Sequence, residues 1–284
     1  MNAFQTLMSD RRALAGTVLL GILSAVAIAA PLLTSADPLA HGNILSDRFT
    51  APLHSDGSGL FHWLGTDRYG RDILTRLIYG ARISLSVGFL SVTVSVVFGM
   101  VIGITAATWG GVVERILMAF TDIFLALPRL VLLLVLVTIW ESSLTLVVLV
   151  LGFTGWMTIA RLVRAEVRSL ISRPFVEAAR AAGVRDMRLA WHHLVPNSMT
   201  PVFVAAALSV GNAIALEAGL SFLGLGIPQP TPSWGNMISA GRDALVNAPW
   251  ISTLPGLCVA VTVIACNLLG DGARDALDPR APVT

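Results

Sequence analysis

Long apolar runs with few charges alternate with short polar segments along most of the chain. Each run is long enough to cross the hydrocarbon core of a bilayer as a helix of about 20 residues. The pattern predicts an all-α polytopic membrane protein with six transmembrane helices. The predicted spans cover residues 13–36, 83–108, a segment that follows Gly111 and ends at Trp140, and residues 142–160, 197–219 and 244–270.

These spans divide the chain into four parts. Residues 1–36 hold the N-terminus and the first transmembrane helix, and 37–82 form an external loop that ends in an amphipathic, interfacial helix at 73–82. Residues 83–270 form the core transmembrane domain, with a polar loop at about 161–195, and 271–284 are a polar tail. The first run could instead be a secretory signal peptide. It is longer than a typical signal core and further spans follow it, which favours an uncleaved helix.

Arginine positions predict the orientation of the spans. Short loops rich in basic residues stay on the cytoplasmic side, and the polar loop is rich in arginine. This places that loop and both chain ends in the cytoplasm. Twelve of the 19 basic residues, all of them arginine, are then inside: residues 11, 12, 115, 161, 164, 168, 173, 180, 185, 188, 274 and 280.

Composition excludes several classes of function. With 55% apolar residues, 13% charged residues and a mean hydropathy of +0.77, the 284 residues do not describe a soluble domain. The absence of lysine excludes a G-x-x-x-x-G-K-[ST] phosphate-binding loop, so any ATP chemistry must come from a partner. The sequence also lacks a nucleophile elbow, an H-E-x-x-H motif and paired metal-binding cysteines, so we expect no catalytic residue, metal or bound cofactor. Nucleic-acid binding is not expected either, because membrane topology explains the basic residues.

Within the polar loop, one stretch is typical of a docking helix. Pro174 suits a first helical turn, and the residues after it are mostly strong helix formers. Ala178 and Ala179 leave that helix with little side-chain bulk, so another surface can approach it closely. Gly183 is placed where a left-handed cap would end the helix. A second short helix is predicted at 185–194, closing before Pro196.

This stretch resembles the "EAA" loop of membrane subunits of bacterial ABC importers. The resemblance rests on Glu177-Ala178-Ala179, Gly183 and the ending His193-Leu194-Val195-Pro196. His193 and Val195 depart from the general Ile-x-Leu-Pro ending, and such a histidine is usual in the peptide and nickel branch. Residues 65–85, with GTDRYGRD and LIYGARISL, and residues 220–235 are similar to dipeptide and oligopeptide permeases, especially C-type dipeptide permease subunits. The alternative is an ordinary basic loop of another membrane protein.

The resemblance implies a type I ABC importer permease fold and a set of partners. It implies a homologous second permease, two cytoplasmic ATPase subunits that carry ATP-Mg, and an extracytoplasmic substrate-binding protein, all in the bacterial inner membrane. The implied ATPase-coupling residues are Glu177, Ala178, Ala179, Arg180, Gly183 and Pro196. The implied cargo is a dipeptide or oligopeptide, with nickel, glutathione and haem as alternatives. A stand-alone channel or membrane enzyme is the alternative from another class.

Three ionisable residues are candidates for the translocation path. Arg129 lies near the middle of the third span, where contact with lipid would cost roughly 2.5–3.5 kcal/mol, so it should face the protein interior or a wet cavity. It either lines the path or pairs with Asp122, and the sequence leaves both interpretations open. Glu217, near the outer end of the fifth span, is the third candidate.

Overall fold

A computed structural model describes residues 10–277 apart from residues 35, 41, 43, 45 and 185. The helices in chain order are α1 (Arg11–Ile28), α2 (Ala30–Leu33), α3 (Ile73–Trp109), α4 (Gly111–Ala126), α5 (Arg129–Ile139), α6 (Leu144–Phe153), α7 (Trp156–Ile171), α8 (Pro174–Ala181), α9 (Asp186–Leu189), α10 (Val195–Phe222), α11 (Trp234–Gly241) and α12 (Trp250–Leu277). A π-helical turn, Ala190–Leu194, joins α9 to α10, and a 3₁₀ turn, Arg242–Ala244, follows α11. Between α2 and α3, strands β1 (His54–Ser55) and β2 (Phe61–His62) pair in antiparallel orientation, with His54 opposite His62.

The helices confirm the predicted all-α membrane fold. Four helices, α1, α3, α10 and α12, are each long and apolar enough to span a membrane, and α6 and α7 together form a fifth such segment. The α4–α5 pair passes the same test but is bent by 87°. The described part of the chain therefore has six spans when this bent pair counts as one.

The bend in the third span is explained by Pro128. The ring of a proline disfavours helical backbone at the residue before it, and Leu127 has the extended angles φ −78° and ψ 132°. Helix α4 therefore ends at Ala126, and α5 starts directly after the proline. A proline within an apolar run indicates such an interruption, but the size of the bend was not predictable from the sequence.

The predicted separate interfacial helix at 73–82 is wrong. Helix α3 starts at Ile73, where the Asp72 carboxylate caps it by accepting a hydrogen bond from the Thr75 amide at 2.8 Å, and it continues without a break to Trp109. Its 37 residues extend about 55 Å, well beyond the ~30 Å hydrocarbon core of a bilayer. The amphipathic residues are therefore the projecting end of the second span.

The ends of the predicted polar loop also differ from the structure. The fourth span continues through Arg161 and Arg168 to Ile171, because arginine is a good helix former. On the other side, the predicted second short helix is present as α9 and the π turn, but it does not close before Pro196: the π turn leads straight into α10, and Pro196 lies in the first turn of α10, where a missing N–H is harmless. The sixth span likewise continues into the predicted tail, and residues 278–284 lie outside the described chain.

Helix α3 packs closely against α7 through two glycines. A Cβ atom on Gly99 would lie 2.6 Å from Ile159 Cβ, and one on Gly103 would lie 2.6 Å from the Ala160 carbonyl oxygen. These distances are too short for any side chain. Gly99 and Gly103 therefore form a small face for close helix contact, and it is directed at α7.

The predicted loop at 220–235 ends in a helix that sequence reasoning missed. Ser233 caps α11 in a capping box with Asn236. Trp234 is buried, its indole N–H donates to the Leu77 carbonyl at 3.1 Å, and its ring packs on Gly80. These contacts hold α11 against α3.

A polar cluster fixes the β hairpin to the start of α3. The His62 ring lies between the carboxylates of Asp56, at 3.1 Å, and Asp72, at 2.8 Å. Burial opposes the imidazolium, but hydrogen bonds to the two carboxylates outweigh it and raise the pKa of His62. Burial also opposes ionisation of Asp56, yet hydrogen bonds from Ser58, His62 and Leu60 lower the pKa of its carboxyl to about 2. The His62 ring therefore joins the hairpin carboxylate of Asp56 to the cap of α3.

Candidate coupling helix and ionisable residues of the spans

Helix α8 is the predicted docking helix, and it has the expected start and end. It begins at Pro174 and ends at Ala181. Gly183 follows with φ +81°, which confirms the predicted left-handed backbone. The Val184 amide donates to the Ala179 carbonyl at 3.1 Å, as expected where a left-handed residue closes a helix.

One face of α8 is held by a buried apolar cluster. Val176 is 0% exposed and packs in a cluster drawn from α7, α9, the π turn and α10. The other members of that cluster include Val163, Val167, Leu170, Leu189, Leu194 and Val202. Ala179 packs against the cluster from the same helix. The sequence contained only a weak signal for this, because Val176 is the one β-branched residue of α8 but the larger apolar Phe175 precedes it and is exposed.

The opposite face of α8 is open. Glu177 and Ala178 are exposed, so the structure leaves these two predicted residues available to another protein. Arg180 falls within α8, but its side chain lies outside the described part of the structure. Pro196 is not part of this face, since it belongs to the first turn of α10.

Two arginines of α7 converge on a carboxylate of α4. Glu114, in the first turn of α4, accepts a hydrogen bond from Arg164 Nε at 2.6 Å, and a second arginine, Arg168, bonds both carboxylate oxygens. Sequence reasoning missed this group because 50 residues separate Glu114 from Arg164. The available signal was weak: an acid at a helix start and two arginines four residues apart.

Arg129 does not pair with Asp122, so that interpretation was wrong. Its guanidinium donates to the Leu151 carbonyl at 3.3 Å and to the Thr154 hydroxyl at 3.5 Å. Because α6 ends at Phe153, its last carbonyls lack helical partners, and the arginine satisfies one of them. Asp122 instead pairs with Arg161 at 3.4 Å, with both side chains more than half exposed.

Glu217 is enclosed within the chain and lines no open path in this structure. It is 0% exposed and accepts hydrogen bonds from the hydroxyls of Ser221 at 2.7 Å, Ser233 at 3.1 Å and Ser84 at 3.4 Å. These serines belong to α10, the α11 cap and α3. The carboxylate therefore joins three elements, and the three path candidates do not form one cluster.

Comparison with known proteins places the chain in a family. The family model described as "Binding-protein-dependent transport system inner membrane component" matches residues 99–282. The chain therefore belongs to this family of membrane components of transport systems. This confirms the resemblance seen in the sequence and identifies a multi-pass inner membrane protein.

Named relatives cover nearly the whole chain. The dipeptide transport system permease protein DppC of Alkalihalophilus pseudofirmus is 40% identical over 278 residues, covering 98% of this chain and 89% of the relative. The oligopeptide transport system permease protein OppC of Bacillus subtilis is 35% identical over 272 residues, which cover 96% of this chain and 87% of the relative.

Solved structures agree on the fold. An inward-facing structure of the MetNI methionine ABC transporter matches 72% of this chain and 97% of the solved chain, with a TM-score of 0.58 and 21% identity. A structure of an amino acid ABC transporter matches 71% of this chain and 94% of the solved chain, with a TM-score of 0.55 and 18% identity. The predicted type I ABC importer permease fold is therefore confirmed.

Proposed function

We propose that this chain forms half of the transmembrane pathway of an ATP-driven peptide importer. The observation that carries the proposal is helix α8, which is held on one side by Val176 and exposes Glu177 and Ala178 on the other. A short, small-sided helix of this kind suits insertion into a groove of an ATPase subunit. The names of the relatives, dipeptide and oligopeptide permeases, support a peptide as the cargo.

The proposed complex contains a homologous second permease, two cytoplasmic ATPase subunits and an extracytoplasmic substrate-binding protein. Without lysine, the chain cannot form a phosphate-binding loop, so ATP-Mg is bound by the ATPase subunits. Large exposed apolar side chains on α4 and α5 are available to lipid and to the second permease: Ile116, Phe120, Ile123, Leu130, Val131 and Val135. The family description supports the need for a binding protein.

In the proposed mechanism, closure of the ATPase subunits displaces α8. Because Val176 joins α8 to the buried cluster, this movement is passed to α7 and α10. The spans then switch the central pathway between outward and inward access. The arginine bias supports cytoplasmic chain ends and an α8 on the ATPase side.

Reconstitution of the complex tests this function. The chain would be coexpressed with the permease, ATPases and binding protein encoded beside it and placed in proteoliposomes. We expect uptake of labelled dipeptides or oligopeptides that needs ATP and the binding protein. Uptake of nickel, glutathione or haem instead would correct the cargo. Transport by this chain alone, without ATPases, would contradict the importer proposal in favour of a stand-alone channel.

Arg129 is proposed to border the translocation path. Its polar contacts with α6 and Thr154 keep the charge away from lipid, and they involve the bent third span. We expect Arg129→Leu to insert and assemble normally, because leucine suits a membrane helix, and to lower peptide uptake. Uptake and complex yield are measured together. Unchanged uptake with normal assembly would leave Arg129 a packing role only.

A further inference from the structure

The carboxylate of Glu114 is the main polar connection between α4 and α7. Its side chain is 7% exposed, while the two arginines that meet it, Arg164 and Arg168, are 40% and 51% exposed. The arginines lie one helical turn apart, so their like charges converge at the same place. A single buried carboxylate compensates both, and removing its charge leaves the two arginines facing each other.

Helix α4 has few other buried residues, although Phe120 and Phe124 pack near Trp156 of α7 towards its far end. Of its 16 residues only Glu114 and Thr121 are buried. Its connection to α3 is a pair of glycines, Gly110 and Gly111, with φ +60° and +54° and no neighbouring atom within 4 Å of where a Cβ would be. The helix therefore meets α3 at a two-glycine turn, and Glu114 is the buried charged contact that holds the start of α4 against α7.

Helix α7 is continuous in its packing with α8. The Arg173 amide donates to the Leu170 carbonyl at 3.1 Å, and the Val176 amide donates to the Arg173 carbonyl at 3.0 Å. Val176 also packs with Leu170 in one buried cluster. A displacement of α8 is therefore passed to α7, and from α7 to α4 through the Glu114 carboxylate.

We propose that Glu114 is a positioning residue that transmits movement of α8 to the bent third span. The inference rests on the proposed coupling function of α8. Helix α4 leads through the bend to α5 and Arg129, so the Glu114 contact connects the coupling helix to the span that holds the path candidate. Without this contact the ATPases still dock and hydrolyse ATP, but α4 no longer follows α7.

The test uses the reconstituted full complex with Glu114→Gln. Glutamine keeps the size of the side chain and one acceptor oxygen, but it replaces the other oxygen with an NH2 donor and removes the charge that the two arginines share. We expect the number of peptides imported per ATP hydrolysed to fall about fivefold or more. The ATPase subunits should remain bound. Glu114→Asp keeps the charge on a shorter side chain and should recover part of the ratio.

Asp275→Asn is the control. Asp275 joins two other helices, α12 and α1, through Arg12, but that pair is 60% and 67% exposed at 3.7 Å. Exposed ion pairs contribute little to stability, so the control should keep its transport ratio within about twofold of the unmodified complex.

The outcomes separate this inference from the function on which it rests. An unmodified complex that imports no peptide contradicts the proposed function. If the unmodified complex imports peptide and Glu114→Gln has the same ratio, only the transmission role is wrong. If the complex with Glu114→Gln loses its ATPase subunits, the transmission role is also overturned, because Glu114 would then be needed for the ATPase subunits to dock. If the glutamine variant does not accumulate, the contact is broken from the other side with Arg164→Gln and Arg168→Gln together, and an unchanged ratio in that double variant overturns the proposal.

Discussion

Replacing Gly103 by leucine is expected to prevent the chain from accumulating as a folded membrane protein. A Cβ at this position would lie 2.6 Å from the Ala160 carbonyl oxygen and 2.8 Å from Val163 Cβ, so α3 and α7 would have to separate. Overpacking of a core typically costs about 1–3 kcal/mol. Here the clash is partly with backbone, which cannot rotate away, so we expect the upper end of that range or more.

Gly21→Leu is the matched control for this prediction. Gly21 also lies in a spanning helix, α1, but no atom lies within 4 Å of where its Cβ would be. Folded yield and thermal unfolding in detergent are measured for both variants. Gly21→Leu should resemble the unmodified chain, and equal yields and melting temperatures for the two variants would show that the α3–α7 contact tolerates side chains.

The sequence predicted the spans because a bilayer imposes a minimum apolar length. It did not predict where the helices end, since a helix continues into water wherever its residues allow it. Residues 73–82 and 161–171 show this at opposite ends of two spans. Arginine favours helix, and its charge does not stop the backbone from forming helical hydrogen bonds. At α7 the apolar run ends about three helical turns before the helix itself ends.

Individual contacts of the ionisable residues were beyond sequence reasoning for a different reason. The docking helix was predictable because its start, small face and left-handed glycine are local. Glu114, by contrast, has partners from a separate helix, and so does Glu217 apart from its i,i+4 neighbour Ser221; no spacing rule links these distant partners. For Arg129, burial was predictable from the cost of a charge in lipid, yet its partner was a carbonyl freed by the end of α6.

The second large effect is expected from Gly183→Val, which should lower peptide import by about tenfold or more while the spans still insert. Gly183 has φ +81°, a conformation that a β-branched residue resists strongly. No atom lies within 4 Å of where its Cβ would be, so the cause is the backbone alone and not added bulk. A backbone change here would break the Val184 to Ala179 hydrogen bond and misplace the end of α8.

Gly183→Asn separates backbone from side chain in this experiment. Asparagine tolerates left-handed backbone far better than valine, so it should retain most import despite its larger polar side chain. Pull-down of the ATPase subunits tells whether Gly183→Val fails in docking or in transmission. Because the residue is outside the spans, assembly with the second permease should be normal in both variants. Equal import by the valine and asparagine variants would mean that the left-handed end of α8 is not needed for coupling.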